Sequence, residues 1–254
     1  MLKLFKKKES GIDVLCGASS IPSGEENIVY KAVDLLAEET GLKAGVEAVI
    51  KKGIPAGSGL GGGSSDAAGS LAAVNALFNL GLNKSGLISA GRKIGADVPF
   101  FISLLDESLL NFTGGAYIGR GRGDKISFAG LIEDVWFVIV YPGISVSTAD
   151  VYGALSLTGE RRDIKMILEH VRRGDKAGIS SCLFNRLEPA AFGKHPCISE
   201  IKERLLKAGA AGALMTGSGS AVFGIAPGRD AAFDIKRKIM KERKEADAYV
   251  ARGL

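Results

Sequence analysis

The sequence predicts a mixed α+β chain. Three observations predict it: short segments that alternate apolar and polar residues, amphipathic helical segments between them, and a glycine-rich loop that runs straight into a helix. The 254 residues are enough for one large domain or two small ones. Composition is ordinarily globular, with 46% hydrophobic and 24% charged residues. No stretch approaches the roughly 20 apolar residues of a membrane span. The net charge of +5 mildly favours anionic ligands. The basic runs at 6–8 and 236–244 read as solvated faces, and no nucleic-acid motif accompanies them. Cys16, Cys182 and Cys197 are widely spaced and form no metal-binding or CxxC pattern, so free thiols in a reducing compartment are expected. No continuous apolar leader opens the chain, and the expected location is cytoplasmic.

Residues 1–24 are the least informative. Ile12, Val14 and Cys16 alternate and predict one strand, followed by a turn at Pro22, Ser23 and Gly24. Residues 25–38 read as a helix with Ile28, Ala32, Leu35 and Leu36 inward. Val46, Ala48 and Ile50 then mark a half-buried strand. The loop follows, and a helix leaves it with Ala67, Leu71, Val74, Leu77 and Phe78 on one face. Ser64 or Ser65 is its expected N-cap and Gly81 its expected stop. A second helix covers 84–94. Pro99 disfavours helix at Val98, so the chain turns at Asp97. Residues 109–125 read as strand, tight turn and strand, and 135–140 as a dense apolar strand. Helices are expected from Ala149, over 198–208 and over 230–242. Residues 214–224 read as strands about a glycine turn, and 246–252 as a final strand.

The loop at 55–68 reads PAGSGLGGGSSDAA, with glycine at 57, 59, 61, 62 and 63. So many glycines would weaken a strand or helix, but they let backbone amides converge on an anion. A helix N-terminus adds unsatisfied amides and the positive end of its dipole. Phosphate is the expected ligand. A Walker A loop is excluded, because Gly63 rather than lysine precedes Ser64. Gly57, Gly59 and Gly62 match GxGxxG, but no acidic residue lies about 20 positions on to take a ribose. The lysine strand, HRD and DFG motifs of protein kinases are absent.

Pro55, Ala56, Gly57, Ser58, Gly59, Leu60, Gly61, Gly62, Gly63, Ser64 and Ser65 together resemble the ATP-binding motif of the GHMP small-molecule kinases. The GLGGGSS form is similar to one branch, the 4-diphosphocytidyl-2-C-methyl-D-erythritol kinases. GADVPFF at 95–101 resembles the segment carrying the family's catalytic aspartate, with Asp97 at the matching position; capping a following helix is its plain structural alternative. MTGSGSAVFG at 215–224 resembles the third family motif, whose glycine turn approaches the ATP phosphates. NRLEP at 185–189 resembles a structural NDLEP segment and departs from it at Arg186. The hairpin GGAYIGRGRG at 114–123 is similar to one in the same branch.

The resemblance implies two lobes: a ribosomal S5 domain 2-like ATP-binding domain at 1–126 and a ferredoxin-like C-terminal domain at 127–254. It implies phosphorylation of the 2-hydroxyl of a cytidine diphosphate-linked methylerythritol, with ATP and Mg²⁺. Asp97 is then the base, residues 55–65 hold the nucleotide, and Ser64 and Ser65 are the metal ligands. Thr148, Gly217 and Ser218 are substrate candidates, Thr148 having a helix cap as its alternative. Asn27 is expected near the nucleotide base or as a cap. A nucleotide-binding remnant and a GHMP kinase for another small alcohol are the competing functions. Family segments resembling AKINL and DGYH are missing, so the chain reads as a member shortened at its N-terminus. A sheet short of edge strands and weak turnover are expected with it.

Overall fold

A computed structural model describes residues 1–18, 21–43, 45–106, 108–109, 111–121, 123, 125–156, 163–242 and 246–253. The chain divides into two compact units. The first is Met1–Ala56, Gly61–Thr113 and Tyr117–Ser127; the second is Gly57–Leu60, Gly114–Ala116 and Phe128–Leu254.

The first unit opens with strands β1 (Leu2–Lys7) and β2 (Gly11–Cys16), then helix α1 (Ile28–Thr40) and strand β3 (Gly45–Ile50). β3 is central in the order β1-β3-β2, antiparallel to β1 and parallel to β2. Strand β1 is not apparent from sequence, because lysines occupy three of the six positions in LKLFKK. Yet Leu2 and Leu4 share the half-buried face. Helix α1 starts at Ile28 rather than at residue 25, and Asn27 is its cap. Its Oδ1 accepts from Val29 N at 2.8 Å and its Nδ2 donates to Pro22 O at 2.7 Å. With Asn27 buried and its amide spent on both sides, the capping role accounts for it.

Helix α2 (Gly62–Phe78) follows the glycine loop, then α3 (Lys84–Ile94) and α4 (Val98–Ser103). α2 starts two residues ahead of the expected serine, with Gly61 as N-cap in the left-handed conformation. It stops at Asn79, also left-handed, ahead of Gly81. Val29, Val33 and Leu36 of α1, Val46 and Ala48 of β3, Leu71 and Val74 of α2, and Val98 and Ile102 of α4 share one buried core. Burying each such side chain contributes about 1.5–3 kcal/mol. Strands β4 (Ala116–Arg120) and β5 (Lys125–Gly130) pair as a hairpin, several residues beyond the expected start at 109. Arg120 is exposed and donates to Ser127 Oγ at 3.4 Å, as a turn arginine would; Arg122 lies outside the described residues.

The second unit is built on β6 (Trp136–Tyr141), followed by α5 (Thr148–Gly153), α6 (Ile164–Arg173), α7 (Lys176–Ser181), α8 (Glu188–Lys194) and α9 (Pro196–Ala208). Strands β7 (Gly212–Met215) and β8 (Val222–Ala226), helix α10 (Arg229–Glu242) and strand β9 (Asp247–Arg252) complete it. The sheet order is β7-β8-β6-β9, every pair antiparallel. Alternation along β6 and β8 sends Val138, Val140 and Val222 to a core with Ile198, Ile201 and Leu205 of α9 and Ile235 and Ile239 of α10. Phe137, Phe223 and Ile225 point the other way, onto Val171 of α6 and Ile179 of α7. Helices therefore cover both faces of this sheet.

Candidate active site

The glycine loop has two halves with different attachments. Ser58, 2% exposed, belongs to the second unit. Its carbonyl accepts from Ala221 N at 3.0 Å and from Thr216 Oγ1 at 2.9 Å. Gly59 has φ +75°, and a Cβ there would lie 2.3 Å from Thr216 O and 2.8 Å from Gly219 O. Gly57, at φ +65°, would place its Cβ 2.9 Å from that of Ser145. Ser58 and Gly59 are thus stitched to the turn between β7 and β8, and the backbone oxygens of that turn require glycine at 59.

The other half belongs to the first unit. Gly61 has φ +68°, and a Cβ on it would meet the Phe101 ring of α4 at 2.7 Å. A Cβ on Gly62 would lie 2.9 Å from Ile54 Cγ2. Gly63 differs: it is exposed, and its nearest neighbour, Ile28 Cγ2, would be an ordinary contact at 3.8 Å. Packing and backbone conformation therefore account for the other four glycines, and Gly63 has room for a side chain. Ser65 N donates to Gly61 O at 2.9 Å, an i→i−4 helical bond. The amides of Gly62, Gly63 and Ser64 precede that bond and are the ones that need acceptors from outside the helix.

Asp97 sits between α3 and α4, at φ −92° and ψ −9°. It occupies the N-cap position of α4, yet its carboxylate makes no capping bond. Val98 and Pro99 beside it are buried, while Asp97 is exposed. A carboxylate held at a fixed turn and not spent on the helix is free for chemistry. Through Phe101 over Gly61, the helix that Asp97 begins is packed on the start of α2, within one unit.

In the second unit, Gly217 (φ +50°) approaches Gly59, whose carbonyl would lie 3.4 Å from a Cβ at 217. Thr148 and Ser218 meet at 2.9 Å between hydroxyl oxygens. Thr148 does not cap α5: Ser147 does, its Oγ accepting from Asp150 N at 3.3 Å, and Thr148 is the first helical residue. Ser220 Oγ donates to Ile144 O, fixing the turn from its other side.

Three polar side chains have partners that local sequence does not show. Asn185 Nδ2 donates to Met215 O at 2.9 Å and Gly217 O at 2.7 Å, clamping the glycine turn across 30 and 32 residues. Glu188, 9% exposed, accepts from Met215 N at 3.0 Å and pairs with Lys202 Nζ at 2.6 Å. Asn185 and Glu188 of the NRLEP segment therefore brace β7 and its turn. Lys52 Nζ pairs with Asp66 Oδ2 at 2.6 Å beside the first turns of α2. Nothing in the sequence links this lysine, in KKG, to an aspartate 14 residues on.

As to a metal, Ser64 and Ser65 offer hydroxyl oxygens, the hard donors that Mg²⁺ prefers. Ser65 Oγ donates its proton to Gly62 O at 2.9 Å, which leaves oxygen lone pairs for a cation. Among the described residues no group of three or more His, Cys, Asp or Glu side chains is placed to hold one. The residues present fit a cation that takes most of its ligands from phosphate. No helix among the described residues is long and apolar enough to cross a membrane.

Residues 27–103 match the model of the GHMP kinases N terminal domain, and residues 167–246 that of GHMP kinases C terminal. The 4-diphosphocytidyl-2-C-methyl-D-erythritol kinase of Pelotomaculum thermopropionicum is 40% identical over 217 residues, 85% of this chain and 72% of that protein. The enzyme of the same name from a Geobacter species is 43% identical over 233 residues, 92% of this chain and 79% of that protein. A crystal structure of 4-(cytidine 5'-diphospho)-2C-methyl-D-erythritol kinase superposes with a TM-score of 0.78 at 33% identity, covering 100% of this chain and 85% of that one. Two α+β domains with the family's motifs in order, matched at this identity over this share of both chains, settle membership: the chain belongs to the GHMP kinase family, in the branch of the 4-diphosphocytidyl-2-C-methyl-D-erythritol kinases.

Proposed function

We propose that the chain transfers the γ-phosphoryl group of ATP to the 2-hydroxyl of 4-diphosphocytidyl-2-C-methyl-D-erythritol, a step of isoprenoid precursor synthesis. Enzymes of this family are small-molecule kinases that take ATP as donor. The observation that carries the reading is the packing of Phe101 over Gly61, which ties the Asp97 turn to the amide-bearing end of α2. The relatives named for this substrate supply the identity of the acceptor.

In this reading the amides of Gly62, Gly63 and Ser64, backed by the dipole of a 17-residue helix, hold the phosphates. Pro55–Leu60 shape the approach, with Ser58 and Gly59 fixed by the Thr216–Ala221 turn. Asp97 orients the acceptor hydroxyl and takes its proton as the oxygen attacks phosphorus. Thr148, Ser218 and the Gly217 turn serve the acceptor substrate. Ser64 and Ser65 would hold Mg²⁺, which when bound neutralises charge on the phosphate oxygens. Residues 1–126 act as the ATP-binding domain and 127–254 as the C-terminal domain. The cytoplasm, where ATP is supplied, is the location assigned to this reaction.

The nucleotide part has a direct test in thermal unfolding. A ligand that binds only the folded state at 100 times its Kd stabilises it by about 2.7 kcal/mol. In a chain of this size that raises Tm by roughly 5–10 °C. MgATP should produce the rise and MgCTP a smaller one; an unmoved Tm at millimolar MgATP would rule out nucleotide binding at α2.

A further inference from the structure

Lys52 lies just beyond the end of β3 and its side chain is only 15% exposed; that of Asp66 is 18% exposed. Their 2.6 Å contact is part-buried. The ammonium is also 3.3 Å from where a Cβ on Gly62 would stand, so it lies against the first residue of α2. Both side chains line a cavity of about 280 Å³, with Ile54, Gly62, Ser65 and Phe112 among its walls. The pair therefore sits beside the amides assigned to phosphate, in the same unit.

The charges there pose a problem that the pair answers. Asp66 is the fifth residue of α2. A carboxylate there complements the helix dipole. It also opposes any phosphate brought to the same helix end, because like charges at such range repel through a medium of intermediate dielectric. We propose that Lys52 is a positioning residue for the nucleotide: its ammonium cancels the Asp66 carboxylate, so that the Gly62–Ser64 amides face phosphate with no competing negative charge. This inference rests on the assignment of the phosphate site to the start of α2. It extends that assignment to two side chains whose charges must balance.

The test is a charge cycle read by the Kd of MgATP, with kcat and ligand-free Tm measured in parallel. Lys52→Met should weaken MgATP at least about tenfold while kcat at saturating ATP changes less than about threefold. Lys52→Arg should bind within about threefold of wild type, because the charge is kept. Asp66→Asn should bind as tightly as wild type or tighter. The double variant Lys52→Met/Asp66→Asn should return to within about threefold, although it too lacks the ion pair. A pair that merely braced the fold would lower Tm in Lys52→Met, Asp66→Asn and the double variant alike, and leave all three equally weak for ATP; that pattern overturns the proposal. So does a Lys52→Met variant that binds MgATP like wild type. Wild-type protein that binds no MgATP would remove the underlying site assignment, a result distinct from either of these. If Lys52→Met alone fails to fold, the double variant and Asp66→Asn still decide the question.

Discussion

Asp97→Asn is expected to lower kcat by about 10²–10⁴, the range typical of a lost general base. The loss should fall on kcat, with the KM for ATP little changed, because the variant keeps shape and hydrogen-bonding reach but cannot accept the proton. Stability should not follow. The carboxylate is exposed and makes no bond to the amides of α4, so nothing in the fold depends on its charge. Surface changes of this kind stay within about 0.5 kcal/mol. The check is steady-state ADP release alongside a denaturation midpoint on the same preparation. A variant that loses Tm and activity together would return Asp97 to the role of a structural cap.

Gly59→Ala should have the largest effect on stability, and for a reason unrelated to ligand. At φ +75° an L-residue is strained, and the new methyl would stand 2.3 Å from one backbone oxygen and 2.8 Å from another. Backbone oxygens cannot swing away as a side-chain tip can. Strain and overpacking together should cost roughly 2–5 kcal/mol, seen as a lower denaturant midpoint. Gly63→Ala is the matched control, since nothing lies closer than 3.8 Å to its new methyl and helix propensity favours alanine. It should keep stability within about 1 kcal/mol while weakening MgATP. Equal stability for the two variants would mean that the loop glycines are interchangeable, contrary to their surroundings.

That contrast also measures what was legible in the chain. The glycine cluster announced itself, and so did the turn at Asp97 and the helices with clear apolar stripes; α3 runs over the expected 84–94. The reason for each glycine was not legible. Its neighbours at 101, 145, 216 and 219 are distant in sequence, and only folding brings them to the loop. Boundaries slipped where two local signals competed. Ser64 and Ser65 looked like caps, yet Gly61, already left-handed, starts α2 earlier. Thr148 looked like a cap, yet Ser147 one residue earlier takes the role and leaves the Thr148 hydroxyl to meet Ser218. Strand β1 was hidden because lysines break its pattern, although its partner β3 imposes the pairing from Leu2↔Ile50 to Lys7↔Gly45. NRLEP announced a structural segment, but the partners of Asn185, Glu188 and Lys52 lie 14 to 32 residues away and carry no local signature.

Phosphoryl transfer itself tests the central claim most directly. The protein would be incubated with γ-labelled ATP, Mg²⁺ and an equimolar mixture of 4-diphosphocytidyl-2-C-methyl-D-erythritol, mevalonate and homoserine, and label counted in each separated product. Label entering the diphosphocytidyl compound at its 2-hydroxyl, and disappearing with Asp97→Asn, is the result this account predicts. Label in mevalonate or homoserine, or ATP bound with no label transferred to any acceptor, would contradict it.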